Sequence, residues 1–226
     1  MNWAQPGIAV TISLLLMVTQ PARAGTMMVT GSSGGSFSVK VTSIKEARFS
    51  STIKQQYDFS CGSAALATLL TYHYQTPVSE QEVFKAMYDI GDQQKIRTHG
   101  FSLLDMKKYL DAHGFNAGGY HASLDKLAAV GVPAIALINI KSYKHFVVIK
   151  GVTKKDVLLG DPASGTKTVP RAEFERSWNG LLFLVRNKKE IAKNHFNMDR
   201  DWHVREKAPL GVAMSNANLA NVTFLP

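Results

Sequence analysis

Cys61 is the one thiol in the chain, and it stands directly before Gly62-Ser63-Ala64-Ala65, where an apolar helical period begins. At a helix N-terminus the dipole and the unpaired backbone N–H groups stabilise a thiolate. A thiolate that attacks a carbonyl needs a base. His145 heads the run Phe146-Val147-Val148-Ile149, and a strand holds an imidazole rigidly enough to aim it. The base needs an orienting partner in turn. Asp161 closes the next apolar run, so a hairpin from His145 to Asp161 brings its carboxylate beside the ring and fixes the tautomer. The anionic oxygen of an acyl-transfer intermediate needs hydrogen-bond donors, and the Cys61 backbone N–H with one glutamine amide suffices. Gln55 lies six residues before Cys61 and Gln56 five, so the pair leaves the register open. Together these residue types point to nucleophilic acyl transfer that needs no metal or organic cofactor.

Each group also has a plainer reading. A lone cysteine in an apolar helix fits a buried small hydrophobe, and Asp161-Pro162 fits a turn start. One cysteine cannot close an intramolecular disulfide or furnish the repeated thiolates of a zinc ribbon. His73, His99, His113, His121, His195 and His203 show no ligand-like spacing.

The elements that must carry these residues follow from periodicity. Apolar spacing predicts a buried helix from about Gly62 to Tyr74. Ser79 with Glu82 forms a capping box that opens a second helix to about Asp89, and Ser102 with Asp105 opens a third that ends at His113 before Gly114. Ser123 to Val130 makes a short fourth, stopped by Gly131 and Pro133. The period then changes. Ala134 to Ile140, His145 to Val152, Val157 to Asp161 and Gly180 to Val185 are short β-rich runs. Helices first and strands afterwards predict an α+β domain, its helical half packed on a mostly antiparallel sheet.

The ends of the chain differ from its middle. Gly7 to Val18 is an apolar run too short to span a bilayer, Pro21 breaks it, and Ala22-Arg23-Ala24 is a small-x-small cleavage pattern. Residues 1–24 are therefore expected to be a signal peptide, which places the protein in the periplasm or outside the cell. Residues 25–38, with Gly31-Ser32-Ser33-Gly34-Gly35-Ser36, are expected to be a flexible spacer, and Ser36 to Ile44 alternates like a strand. The folded domain is expected over 39–186, and 187–226 reads as a basic and then apolar tail. With 26 Lys+Arg against 17 Asp+Glu the formal charge is +9. The positive residues are scattered and carry no zinc-finger or RNP-like pattern, so nucleic acid is not an expected partner, and no integral membrane domain is expected.

The segment from Gln55 through Cys61-Gly62 to Leu70, followed by His145-Phe146-Val147-Val148-Ile149 and then by Asp161-Pro162, resembles the peptidase C39 family of papain-like cysteine peptidases. The match runs from about Ile53 to Val185. The resemblance implies a papain-like fold, Cys61 as nucleophile, His145 as general base and acid, Asp161 as orienter and Gln55 as oxyanion donor, with Gln56 as its rival. Members of the family usually form the N-terminus of an ATP-driven exporter and cut leader peptides after a double glycine. Here an export signal is expected before the domain, and neither a transmembrane bundle nor a Walker loop is expected after it. The chain is thus similar to the smaller group of stand-alone exported C39-like proteins associated with functional-amyloid secretion. The expected partner is a secreted polypeptide substrate, with components of a secretion system beside it. A catalytically silent peptide-binding module is the alternative, and an amidase or transglutaminase use of the same triad is a third reading, because a triad fixes acyl transfer and not the acceptor. Ser60 replaces the acidic residue often found before the family's cysteine.

Overall fold

The computed structural model describes residues 25–30, 36–41, 43–140 and 143–203. The expected signal peptide, the Gly34-Gly35 pair and the last part of the tail lie outside these residues. The chain divides at Thr42/Ser43 into two units. In the first, β1 (Gly25–Thr30) and β2 (Ser36–Val41) pair antiparallel, with Gly25 opposite Val41 and Thr30 opposite Ser36. The expectation of an unstructured spacer over 25–38 differs from this ribbon. Only residues 31–36 have the Gly/Ser composition of a spacer, whereas Met27-Met28-Val29-Thr30 and Phe37-Ser38-Val39 on either side have strand propensity.

The second unit begins with α1 (Ile44–Arg48), closed by a capping box between Ser43 and Glu46. Four helices follow: α2 (Cys61–His73), α3 (Glu80–Ile90), α4 (Gln93–His99) and α5 (Leu103–Ala112). The Ser79/Glu82 and Ser102/Asp105 capping boxes form as the spacing predicts. After β3 (Ala117–His121) and α6 (Leu124–Val130) come β4 (Ala134–Ile140), β5 (Tyr143–Val152), β6 (Asp156–Asp161) and β7 (Gly165–Pro170). The described chain ends with α7 (Arg171–Ser177), β8 (Trp178–Val185), α8 (Lys189–Lys193) and α9 (Asp199–Trp202). The strands from β3 to β8 form one six-stranded sheet in the order β3-β8-β4-β5-β6-β7, with every pairing antiparallel. The α+β expectation holds, with helices preceding and packing on an antiparallel sheet.

The core explains how the site is held. Helix α2 is buried on nearly every face, because Ala64, Ala65 and Ala67 are small enough to let α3 and β5 approach it closely while Leu66, Leu69 and Leu70 fill the space between. Strand β5 is buried from His145 to Val152. Its neighbours β4 and β6 pair with it from either side, so β5 is a central strand that cannot shift register without turning its core face outward.

The domain does not stop at residue 186. Residues 187–203 include α8 and α9 and return to the body: His73 Nδ1 meets the carbonyl of His195 at 2.9 Å, and the Asn197 side chain bonds the backbone of Val152. The expectation of a tail from 187 is corrected for this part. Its charged residues read as a solvated run, but Ala192, Phe196 and Asp201 are buried. Among the described residues no helix is long and apolar enough to cross a membrane.

Candidate active site

Cys61 is the first residue of α2 and is 5% exposed. The first turn of α2 carries no acidic side chain, so nothing in that turn offsets the positive end of the dipole. Ser60 precedes the helix, yet its hydroxyl does not cap it. It bonds the Tyr57 carbonyl at 3.0 Å and accepts the Tyr57 N–H at 3.1 Å, closing the loop before the cysteine. Ser63 then ties the turn to α3, donating to the Ser60 carbonyl and bonding Glu80 Oε1 at 3.0 Å. Gly62 has a steric reason. A Cβ there would lie 2.9 Å from Met106 Cε and 3.0 Å from Phe101 Cβ, so a larger residue would press on both where this end of α2 seats against α5 and the segment before it.

His145 lies near the start of β5 and Asp161 ends β6. The two strands are paired through Val148 and Gly160, and a bulge between Ile149 and Gly151 adjusts the register. His145 Nε2 and Asp161 Oδ1 meet at 2.8 Å, with both side chains almost fully buried. Asp161 Oδ1 also accepts the backbone N–H groups of Ala163 at 2.8 Å and Ser164 at 3.3 Å, and Oδ2 accepts Lys167 Nζ at 2.6 Å. Burial opposes the Asp161 charge, but the bonds from His145 and Lys167 outweigh it and hold the carboxyl well below the usual carboxylate range.

With Nε2 committed to Asp161, the other ring nitrogen is the one available to the thiol. His145 Nδ1 is buried and has no hydrogen-bond partner of ordinary geometry. Cys61 nevertheless acts on the ring: burial works against the imidazolium, while Asp161 and then the Cys61 sulfur favour it and lift His145 from 6.5 to about 9. Cys61 is thus an electrostatic neighbour of the His145 ring, whose Nδ1 makes no other bond and is left to act on the thiol. Cys61, His145 and Asp161, predicted from three separated motifs, come together around one imidazole.

Gln55 and Gln56 part company. The Gln55 backbone N–H donates to the Pro162 carbonyl at 3.0 Å, so the loop before Cys61 is fastened to the residue after Asp161. The Gln55 amide donates to the Tyr57 carbonyl at 2.9 Å and reaches the Asp58 carbonyl at 3.4 Å, while its Oε1 is buried without a partner. Gln56 is exposed and accepts a bond from Gln81 on α3.

Two residues at the site went unmarked in the sequence. Lys167 is one. Tyr143 is the other: its hydroxyl bonds the Asp58 carbonyl at 2.5 Å, and its ring stacks toward His145 with centroids 6.1 Å apart. Burial raises the phenol's pKa, and the neighbouring Cys61 and Asp58 charges add to that. Tyr143 lies two residues before His145 on one strand and so on the same face, which is the signal that could have found it.

Residues 50–190 match the model of the peptidase C39 family. The chain belongs to the peptidase C39 family. Over 176 residues it is 44% identical to the "Probable functional amyloid protease FapD" of Pseudomonas fluorescens, covering 77% of this chain and 78% of that protein. The protein of the same name from Pseudomonas aeruginosa is 43% identical over 175 residues, 77% of each chain. Among solved structures, the peptidase domain of Streptococcus ComA, a bi-functional ABC transporter involved in a quorum sensing pathway, superposes with a TM-score of 0.50 at 19% identity. That match covers 60% of this chain and 96% of the domain, and it shows a shared fold. The chain is a C39 cysteine peptidase with a papain-like fold.

Proposed function

We propose that this peptidase is exported and cuts a secreted polypeptide, with Cys61, His145 and Asp161 as its triad and Gln55 as an oxyanion donor. The observation that carries the reading is the His145–Asp161 bond through Nε2, which leaves Nδ1 as the ring nitrogen that can serve the cysteine at the start of α2. In the proposed cycle Cys61 Sγ attacks the scissile carbonyl, and the Cys61 N–H and Gln55 amide receive the oxyanion. His145 Nδ1 gives its proton to the leaving amine, then takes one from the water that hydrolyses the thioester. Asp161 keeps the ring aimed and stabilises its cationic form. The relatives named as functional amyloid proteases support a secreted amyloid system as the source of the substrate and of neighbouring secretion components.

The test is to incubate the purified chain with a mixture of denatured exported proteins and map new N-termini by mass spectrometry. Cuts made by wild type and absent with Cys61→Ala support the reading. Stable capture of peptides without cuts favours a silent binding module. Products that carry an added amine nucleophile in preference to water favour amide transfer.

A further inference from the structure

Four charged or ionisable groups surround the candidate site: Cys61 on α2, His145 on β5, Asp161 on β6 and Lys167 on β7. With the thiolate and imidazolium formed they alternate in sign, two anions and two cations. The Asp161 carboxylate divides its two oxygens between the cations, Oδ1 to His145 at 2.8 Å and Oδ2 to Lys167 at 2.6 Å. The lysine reaches it because β7 pairs with β6 so that Lys167 lies opposite Leu159, two residues from Asp161 on the same face. The turn that makes this possible passes through Gly165 at φ +82°, against the backbone of Arg48 on α1.

We propose that Lys167 is a positioning residue that limits how strongly His145 holds its proton. This rests on the triad reading above. Orientation of the carboxylate does not need the lysine, since Oδ1 is already fixed by His145, Ala163 N–H and Ser164 N–H. What Lys167 adds is charge. A cation on Oδ2 repels the imidazolium across the carboxylate and draws on the same negative charge, so His145 remains a better acid toward a leaving amine than it would beside an unshared carboxylate. The Lys167 side chain is 28% exposed and its Asp161 partner only 4%. The other titratable groups that act on the imidazole are Asp161 and Cys61, and Tyr143 stacks beside it with its hydroxyl held by the Asp58 carbonyl.

The experiment uses the full chain as wild type, Lys167→Met and Lys167→Arg. The ionisation of His145 is followed by NMR of ring-labelled histidine, assigned with His145→Gln. Lys167→Met is expected to raise the His145 pKa by about 0.5 to 2 units, the Coulomb range between watery and protein-surface dielectrics, and Lys167→Arg is expected to leave it near wild type. In the peptidase assay Lys167→Met is expected to move the alkaline limb of kcat/KM upward in parallel and to lower kcat at neutral pH about 3- to 10-fold, as general-acid strength falls. A His145 pKa that is unchanged or lower in Lys167→Met, with the fold intact by circular dichroism, overturns the proposal, because a merely structural lysine changes stability without moving this titration. The NMR arm needs no turnover. A wild type that cuts nothing while the His145 shift appears therefore counts against the triad reading and not against the charge relation.

Discussion

Lys150 on β5 and Asp201 on α9 form an ion pair at 2.7 Å with side chains 1% and 5% exposed. Lys150 Nζ also donates to the Ser51 carbonyl at 3.0 Å and to Ser51 Oγ at 2.6 Å, and Asp201 accepts from that same hydroxyl at 2.8 Å. Strand β5, which carries His145, is thereby joined to a helix beyond the matched family region of 50–190. Burial pushes the Lys150 amine down, and Asp201 is the principal group pulling it back up.

The first prediction follows from that pair. Removing one partner of a buried ion pair leaves an uncompensated charge, which costs about 3–5 kcal/mol, whereas replacing both by apolar groups often costs little. Asp201→Ala should therefore destabilise the chain by about that amount in urea unfolding. Lys150→Met combined with Asp201→Leu should recover much of the loss. A single substitution that costs under about 1 kcal/mol would remove the pair from the account of how the C-terminal segment is held.

A second prediction concerns pH. His145 is raised in the folded state, so its imidazolium contributes stability that is fully present below 6.5 and is lost as pH rises through about 9. Asp161 is depressed, so its contribution is present above the unfolded carboxylate range and fades as pH falls through its folded value. These are two views of one interaction and are not summed. The His145 part is at most about 3.5 kcal/mol at roughly 1.36 kcal/mol per pKa unit. Chemical unfolding at pH 6 and pH 10 should show wild type losing stability relative to His145→Gln by an amount of that order. A constant difference between the two proteins would contradict the raised imidazole.

How much of this was legible beforehand depends on what each residue needs from the chain. Cys61, the capping serines Ser79 and Ser102, and the apolar runs of β4, β5 and β6 act through neighbours within a few residues, so local spacing displayed them. Strand β7, Gly-Thr-Lys-Thr-Val-Pro, has no apolar alternation, because its place depends on pairing with β6 and not on burying one face. Lys167 went with it. Asp201 and Phe196 are hidden among charged residues, and their burial depends on partners far away in the chain, Lys150 and Val152 on β5 and His73 on α2. The two glutamines differ only in the fold, where the Gln55 backbone is tied to Pro162 and the Gln56 side chain to Gln81, and local spacing shows neither bond.

Asp161→Asn tests the orienting role. The amide can still accept from His145 Nε2 and the Ala163 N–H through its oxygen, but its NH2 then faces the Lys167 ammonium, donor against donor. We expect kcat/KM to fall about 10²- to 10⁴-fold, the range for losing a triad carboxylate, with a stability loss of only about 1–2 kcal/mol. Peptidase rates and thermal midpoints measured side by side decide the matter. Unchanged rates would take Asp161 out of the site, and a collapse of the midpoint with rates preserved in the folded fraction would make it structural.

The last prediction separates the two glutamines. The Gln55 amide has two hydrogens, one given to the Tyr57 carbonyl at 2.9 Å and the other only loosely to the Asp58 carbonyl at 3.4 Å. Asp58 does not depend on it, because the Tyr143 hydroxyl already bonds that carbonyl at 2.5 Å. The second hydrogen is therefore free to turn to an oxyanion, and the tether to Pro162 keeps Gln55 beside the Asp161 turn. Losing one oxyanion donor costs about 10²- to 10³-fold in kcat. Gln55→Ala should show that loss with little change in KM, while Gln56→Ala, which gives up only an exposed bond to Gln81, should stay within about 2-fold. Tyr143→Phe should fall between them, since the Asp58 carbonyl then competes for the Gln55 hydrogen, and a roughly 3- to 10-fold drop in kcat is expected from one weakened donor. A large loss with Gln56→Ala and none with Gln55→Ala would reverse the register and place the oxyanion on the other side of the loop.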